Sequence, residues 1–211
     1  MSASSHAAAA HTATHGAEHA TTTGLDHRKM LWWAFLGSDC MFFGSLIATY
    51  LVYKGRDGVG PTPHRSVLHE GILNIPLTSV SAFVLLMSSL AMVLALSGIN
   101  AGDMRKFRVW ILATAVLGAG FVGFQIFEFT EFYYKGLSLQ GNLFGATFFT
   151  LTGFHGAHVS VGVLWLLSLF YWSFSGQLTQ ANALNVEIAG LYWHFVDVVW
   201  IAIFAIVYLI P

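Results

Sequence analysis

An all-α integral membrane bundle of five transmembrane helices is the fold this sequence predicts, and three observations predict it. Hydrophobic residues make up 56% of the chain and charged residues 9%, with mean hydropathy +0.67, the balance of a protein dissolved in lipid. Five windows of roughly 20 apolar residues, the length that spans a bilayer at about 1.5 Å per residue, lie between charged or Gly/Pro-rich connections. The charges gather at the ends of those windows rather than in runs. A formal net charge of -1 leaves no basic footprint, so nucleic acid is not an expected partner. The one cysteine, Cys40, excludes an intrachain disulfide framework and a thiolate metal cluster.

Residues 1–27 are rich in Ala, Thr, Ser and His, lack apolar periodicity and hold almost no large side chains, so a disordered tail is expected there. It is not a secretory signal: Arg28 and Lys29 follow it, and the next apolar stretch is too long for a signal core and has no cleavage site. His6, His11, His15 and His19 recur every four or five residues, a spacing that would bind a transition metal weakly if the tail turned helical; a His-biased disordered tail is the plainer reading. The transmembrane domain is then 28–211.

The first span covers about 31–52, with Trp32 and Trp33 at interfacial depth and Asp39 inside it. Gly58, Gly60, Pro61 and Pro63 mark a surface loop. The second span, about 73–96, has no ionisable side chain and tolerates Pro76 in its first turn, where a missing N–H has no intrahelical partner anyway. A short polar connection leads to the third span, about 107–129, whose end carries Gln125, Glu128 and Glu131; a solvated helix end is expected for the two acids. The fourth, about 144–171, contains His155 and His158, and Gly153, Ala157 and Val161 share a face suited to close helix contact. The fifth, about 186–210, contains the run Tyr192–Trp200, YWHFVDVVW, with Glu187 before it. No internal repeat of inverted halves is visible, which weighs against a transporter.

Counting Lys and Arg beside the spans sets the orientation. With the N-terminus inside, Arg28, Lys29, Arg105, Lys106 and Arg108 face the cytoplasm and Lys54, Arg56, Arg65 and Lys135 the exterior; the C-terminus is then outside. In that frame Asp39 lies roughly 12 Å from the inner end, His158 roughly 20 Å, and His194 and Asp197 roughly 12 and 16 Å. An ionisable group inside a membrane costs at least about 2.5 kcal/mol unless partnered. Asp39, His155, His158, His194 and Asp197 are therefore expected to face inward and pair with one another.

His155 and His158 stand at i, i+3, and Glu187, His194 and Asp197 at i, i+7, i+10, so each set occupies one side of its helix. Three readings stay open on these residues alone. A haem or metal on facing imidazoles is one, although no Cys-x-x-Cys-His and no Glu-x-x-His pair on two helices accompanies them. Proton or ion transfer along an Asp/His chain is the second. Interhelical hydrogen bonds that fix packing are the third. The Trp and Phe content reads first as lipid belt and packing.

Glu187 with YWHFVDVVW resembles the last transmembrane helix of subunit III of the haem-copper respiratory oxidases. Phe149–Gly162, FTLTGFHGAHVSVG, resembles that family's preceding helix, and Phe121–Phe132, FVGFQIFEFTEF, the one before it. Ser38-Asp39 followed by Met41-Phe42-Phe43 is similar to a segment where many members carry Ser-Glu before Phe-rich sequence; here Asp replaces the commoner Glu. The resemblance covers about 28–211 and fits the five-helix bacterial form. It implies a subunit of a proton-pumping cytochrome c oxidase, or alternatively of a quinol oxidase, in the bacterial plasma membrane. It further implies contact with the catalytic subunit I, which holds the haems and copper, no catalytic residue, metal or redox cofactor in this chain, and phospholipid between the helices. By motif, Asp39, His155, His158, Glu187, His194 and Asp197 would support proton uptake or form an interhelical polar layer. An independent channel or transporter, and a haem-binding membrane anchor, are the rival expectations.

Overall fold

The computed structural model describes residues 27–54, 75–134, 143–176, 178 and 182–209; the expected tail and most of the first loop lie outside them. Five long helices account for nearly all of these: α1 His27–Tyr53, α2 Ile75–Asn100, α3 Met104–Tyr134, α4 Leu143–Phe174 and α5 Ala183–Phe204, the last continued by a π-helical turn Ala205–Leu209. Each is long and apolar enough to cross a membrane. In hydrocarbon no water can satisfy a backbone N–H or C=O, so a spanning segment must bond internally, and a helix does this without help from its neighbours. The helices outrun the apolar windows, α3 most clearly, because helical hydrogen bonding continues through the polar ends where hydropathy has already fallen.

By contacts the chain divides into two compact units, Met1–Met41 and Phe42–Pro211, the boundary falling inside α1. Within the second unit α2 packs on α3 and α5, and α4 packs on α3 and α5, closing a four-helix ring. The second half of α1 meets that ring through aromatic contacts: Phe43 lies 5.0 Å from the His158 ring and Phe42 5.2 Å from Phe154.

Local chemistry fixes the helix joints. Between α2 and α3 only three residues turn the chain. Gly102 adopts φ 75°, a conformation that side chains resist, and Asp103 Oδ1 accepts from the N–H groups of Arg105 and Lys106 at 3.0 Å each, capping α3. A Cβ on Gly98 would stand 2.8 Å from the Phe107 backbone nitrogen, so glycine is what lets α2 and α3 approach here. At the same end of α3, Arg108 donates to Ser173 Oγ (3.1 Å) and Ser173 O (2.5 Å) while its guanidinium lies 4.3 Å from the Phe174 ring centre. One arginine thus ties the start of α3 to the end of α4 and occupies a carbonyl group the helix leaves over. Past α1, Lys54 Nζ donates to Ile206 O at 3.3 Å in the π turn, and its partial burial lowers its pKa below the usual lysine value.

The outer faces are apolar, as a lipid-facing surface requires: Val80, Phe83, Leu90 and Val93 line an exposed stripe of α2. Inside, Trp193 is the central piece at 1% exposure. Its ring occupies the room left by two glycines on different helices: a Cβ on Gly118 of α3 would stand 2.7 Å from Trp193 Cζ2, and one on Gly162 of α4 would stand 2.9 Å from Cζ3. Its indole N–H donates to Ser88 Oγ on α2 at 2.9 Å. All four helices of the ring meet on this side chain.

That geometry corrects the expected small-residue face. A Cβ on Gly153 would meet nothing within 4 Å, and Val161 is 58% exposed, so the Gly153–Ala157–Val161 face is not the close contact. Gly162, on the other side of α4, makes it because a large ring from α5 fills the opposite position.

Candidate functional site

The buried polar groups are stacked in three levels along the ring. At the first, α2 contributes the consecutive Ser88 and Ser89. Ser88 accepts from Trp193, while Ser89 Oγ lies 3.0 Å from His194 Nδ1 and hydrogen-bonds Asp197. His194 and Asp197 stand at i, i+3 and so reach one serine from the same side of α5. On the α4 side Tyr192 donates its hydroxyl to His158 O at 3.0 Å, and His158 Nδ1 lies 2.7 Å from Phe154 O of its own helix.

The second level is aromatic. His155 is 0% exposed, stacked on Trp200 (5.0 Å between centres, 21° between planes) and met edge-on by Phe121 at 5.7 Å. Neither ring nitrogen of His155 has a hydrogen-bond partner among the described residues. The expectation that the buried acids and imidazoles all satisfy one another is therefore not met at His155. The ring's neighbours are aromatic instead: Trp200 lies on one face and Phe121 meets it edge-on, and neither gives its nitrogens an in-plane partner. One turn on, Gln125 of α3 donates Nε2 to Thr152 O at 2.6 Å, its amide fitting over Gly156.

The third level lies toward the end of the ring formed by the start of α2, the end of α3 and the π turn. Glu128 is 4% exposed, and Thr78 donates its hydroxyl to the carboxylate. Tyr208, also buried, hydrogen-bonds Thr78 and lies close enough to Glu128 and Tyr50 to feel both. The solvated helix end expected for Glu128 is thus corrected. α3 continues six residues past it to Tyr134, and Thr78 and Tyr208 cover the carboxylate.

Of the six sequence candidates, His155, His158, His194 and Asp197 fall in the first two levels. Glu187 sits in the second turn of α5, about 10 Å along the axis from His194. Asp39 lies in the unit that ends at Met41. Sequence reading missed Ser88, Ser89, Thr78, Gln125, Trp200 and Tyr208. For α3 a signal was present: Phe121, Gln125, Glu128 and Phe132 repeat at i, i+4, i+7, i+11, one helical face on which two aromatic rings flank two polar groups. The serines of α2 carry no such mark. Among the described residues no three His, Cys, Asp or Glu side chains converge as a metal site would need.

The family model described as cytochrome c oxidase subunit III matches residues 7–210. The chain belongs to the cytochrome c oxidase subunit III family. Among relatives of this subunit III chain, cytochrome c oxidase subunit 3 of Bacillus sp. (strain PS3) is 40% identical over 177 residues, 84% of this chain and 83% of the relative. Quinol oxidase subunit 3 of Bacillus subtilis (strain 168) is 37% identical over 177 residues, 84% of each. Cytochrome bo(3) ubiquinol oxidase subunit 3 of Pseudomonas aeruginosa is 35% identical over 204 residues, 97% of this chain and 94% of the relative. The subunit III family therefore contains relatives named for both electron donors at comparable similarity. In this chain the three polar levels hold helices together with serine, threonine, tyrosine and tryptophan hydrogen bonds, an arrangement suited to fixing carboxyl and imidazole groups inside a bundle.

Proposed function

We propose that this chain is the non-redox subunit III of a proton-pumping cytochrome c oxidase in a bacterial plasma membrane, its N-terminus cytoplasmic and its C-terminus outside. It stands beside the catalytic subunit I, whose haems and copper carry electrons to O2, and supplies no ligand to them. Its work is to stabilise the assembly and support proton uptake, with Asp39 at the family's acidic position and His155, His158, Glu187, His194 and Asp197 as the polar set of α4 and α5. The observation that carries this reading is that polar set, with His155 and Asp197 buried, His194 beside Ser89 of α2, and Trp193 of the same motif bonded to Ser88. Cytochrome c as donor is supported by the 40% identity to a relative named for it; the quinol reading is supported by the relative that spans 97% of this chain.

Purification in mild detergent through a tag on this chain tests the class and the donor together. A haem-copper subunit is expected to co-purify, and the preparation to oxidise reduced cytochrome c. Oxidation of quinol alone would reassign the donor, and a chain that purifies without a haem subunit would sink the oxidase reading. In the assembled enzyme Asp39→Ala should leave the haem spectra unchanged while slowing proton uptake or shortening active lifetime during turnover. Unchanged uptake and lifetime would reduce Asp39 to packing.

A further inference from the structure

We propose that the second unit holds a structural water site between α3, α4 and α5, centred on His155. The imidazole is 0% exposed, and a neutral imidazole brings one N–H donor and one nitrogen acceptor, neither of which is satisfied among the described residues. It is not alone. Trp200 Nε1, Asp197 Oδ1 and Gln125 Oε1 are likewise buried without a hydrogen-bond partner among the described residues.

The residues that carry these atoms lie on adjoining turns of α3, α4 and α5, with His155 and Trp200 in direct contact. Trp200 is stacked on His155, and Phe121 touches both rings, at 5.7 Å from His155 and 4.7 Å from Trp200. Asp197 precedes Trp200 by one turn of α5. The Gln125 oxygen lies 2.5 Å from where a Cβ on Gly156 would stand, and Gly156 is the residue next to His155. The amide nitrogen of Gln125 is already committed to Thr152 O.

Chemistry selects the occupant. The set offers two donors, the indole N–H and one imidazole N–H, and three acceptors, the other imidazole nitrogen and the oxygens of Asp197 and Gln125. The parallel stack of His155 on Trp200 turns the nitrogens of both rings outward from the stack, so the two rings cannot bond each other. A bare cation would leave both N–H donors unsatisfied, and an apolar molecule would satisfy none of the atoms. Water both donates and accepts, and a buried water typically makes about three hydrogen bonds to such groups. Buried polar atoms left without a partner are uncommon in folded proteins, and two stacked rings, His155 and Trp200, that both leave theirs so are hard to account for as separate defects. The site accounts for an imidazole buried among aromatic rings: it joins α4 to α3 and α5 through a shared molecule rather than through direct pairs.

Radiolytic hydroxyl-radical footprinting of the assembled complex in isotopically labelled water tests this, because side chains beside bound water are oxidised even when buried. Trp193 is the internal control: it is buried as deeply as Trp200, but its N–H is already bonded to Ser88. Trp200 is expected to be oxidised several-fold faster than Trp193, and His155→Leu should reduce Trp200 to the Trp193 rate. Equal rates for the two tryptophans in the unsubstituted complex would overturn the proposal, whether both are slow or both are fast. That comparison needs no variant, so it decides even if His155→Leu fails to assemble. It also reads water inside this chain irrespective of the electron donor.

Discussion

Trp193→Ala should destabilise the bundle by about 3–5 kcal/mol, the range for removing a large buried aromatic side chain. The indole is 1% exposed, so its removal leaves a cavity where four helices meet. In a membrane the loss is chiefly one of packing, because lipid tails are as apolar as the core and exert little hydrophobic drive between helices. Ser88 would also lose the N–H donating to its hydroxyl. The measurement is the midpoint of detergent-induced unfolding of the purified chain, with recovery of the subunit in the assembled enzyme as a second reading. The complementary change is Gly118→Val, whose added carbons would collide with the same ring. The two effects should be non-additive, since in the double variant the new valine side chain fills part of the cavity that the missing indole leaves. If Trp193→Ala moved stability by less than about 0.5 kcal/mol, the ordinary range for a surface change, the ring would not be what holds the helices.

The five spans were legible because length and apolarity are additive along a chain and need no knowledge of neighbours. What sequence could not provide was which side of each helix faces another helix, since every face of a membrane helix is apolar. Trp193 reads as part of an aromatic belt until Gly118 and Gly162, 75 and 31 residues earlier, are seen to make room for it. The α4 and α5 candidates were found because imidazole and carboxyl groups stand out in an oily run. Their partners were not, because Ser88, Ser89 and Thr78 are common in such helices and gain meaning only from what they bond. His155 shows a different limit. Its burial follows from the insertion penalty, but its stacking on Trp200 in place of the expected carboxylate pair depends on how α4 and α5 meet.

Glu128 allows the carboxyl and the packing contributions to be separated. Glu128→Leu keeps the volume but removes the acceptor to which the Thr78 hydroxyl donates, and the loss of that acceptor in a buried position should cost about 1–3 kcal/mol. Glu128→Gln retains a carbonyl oxygen in nearly the same place and should lose less. The informative change is the pair: with Thr78→Val added to Glu128→Leu, donor and acceptor are both replaced by apolar groups of similar shape, a substitution that can be nearly neutral. Part of the single-variant loss should therefore return. Full recovery is not expected, because Tyr208 also hydrogen-bonds Thr78 and would be left facing carbon. Adding Tyr208→Phe should restore most of the remainder, and the stepwise return would show that Thr78, Glu128 and Tyr208 act as one network. The same unfolding midpoint measures each step. A Glu128→Leu chain as stable as the original would mean that the carboxyl contributes nothing to this end of the bundle, and its burial beneath Thr78 and Tyr208 would then point to a role in the assembled enzyme rather than in holding the helices.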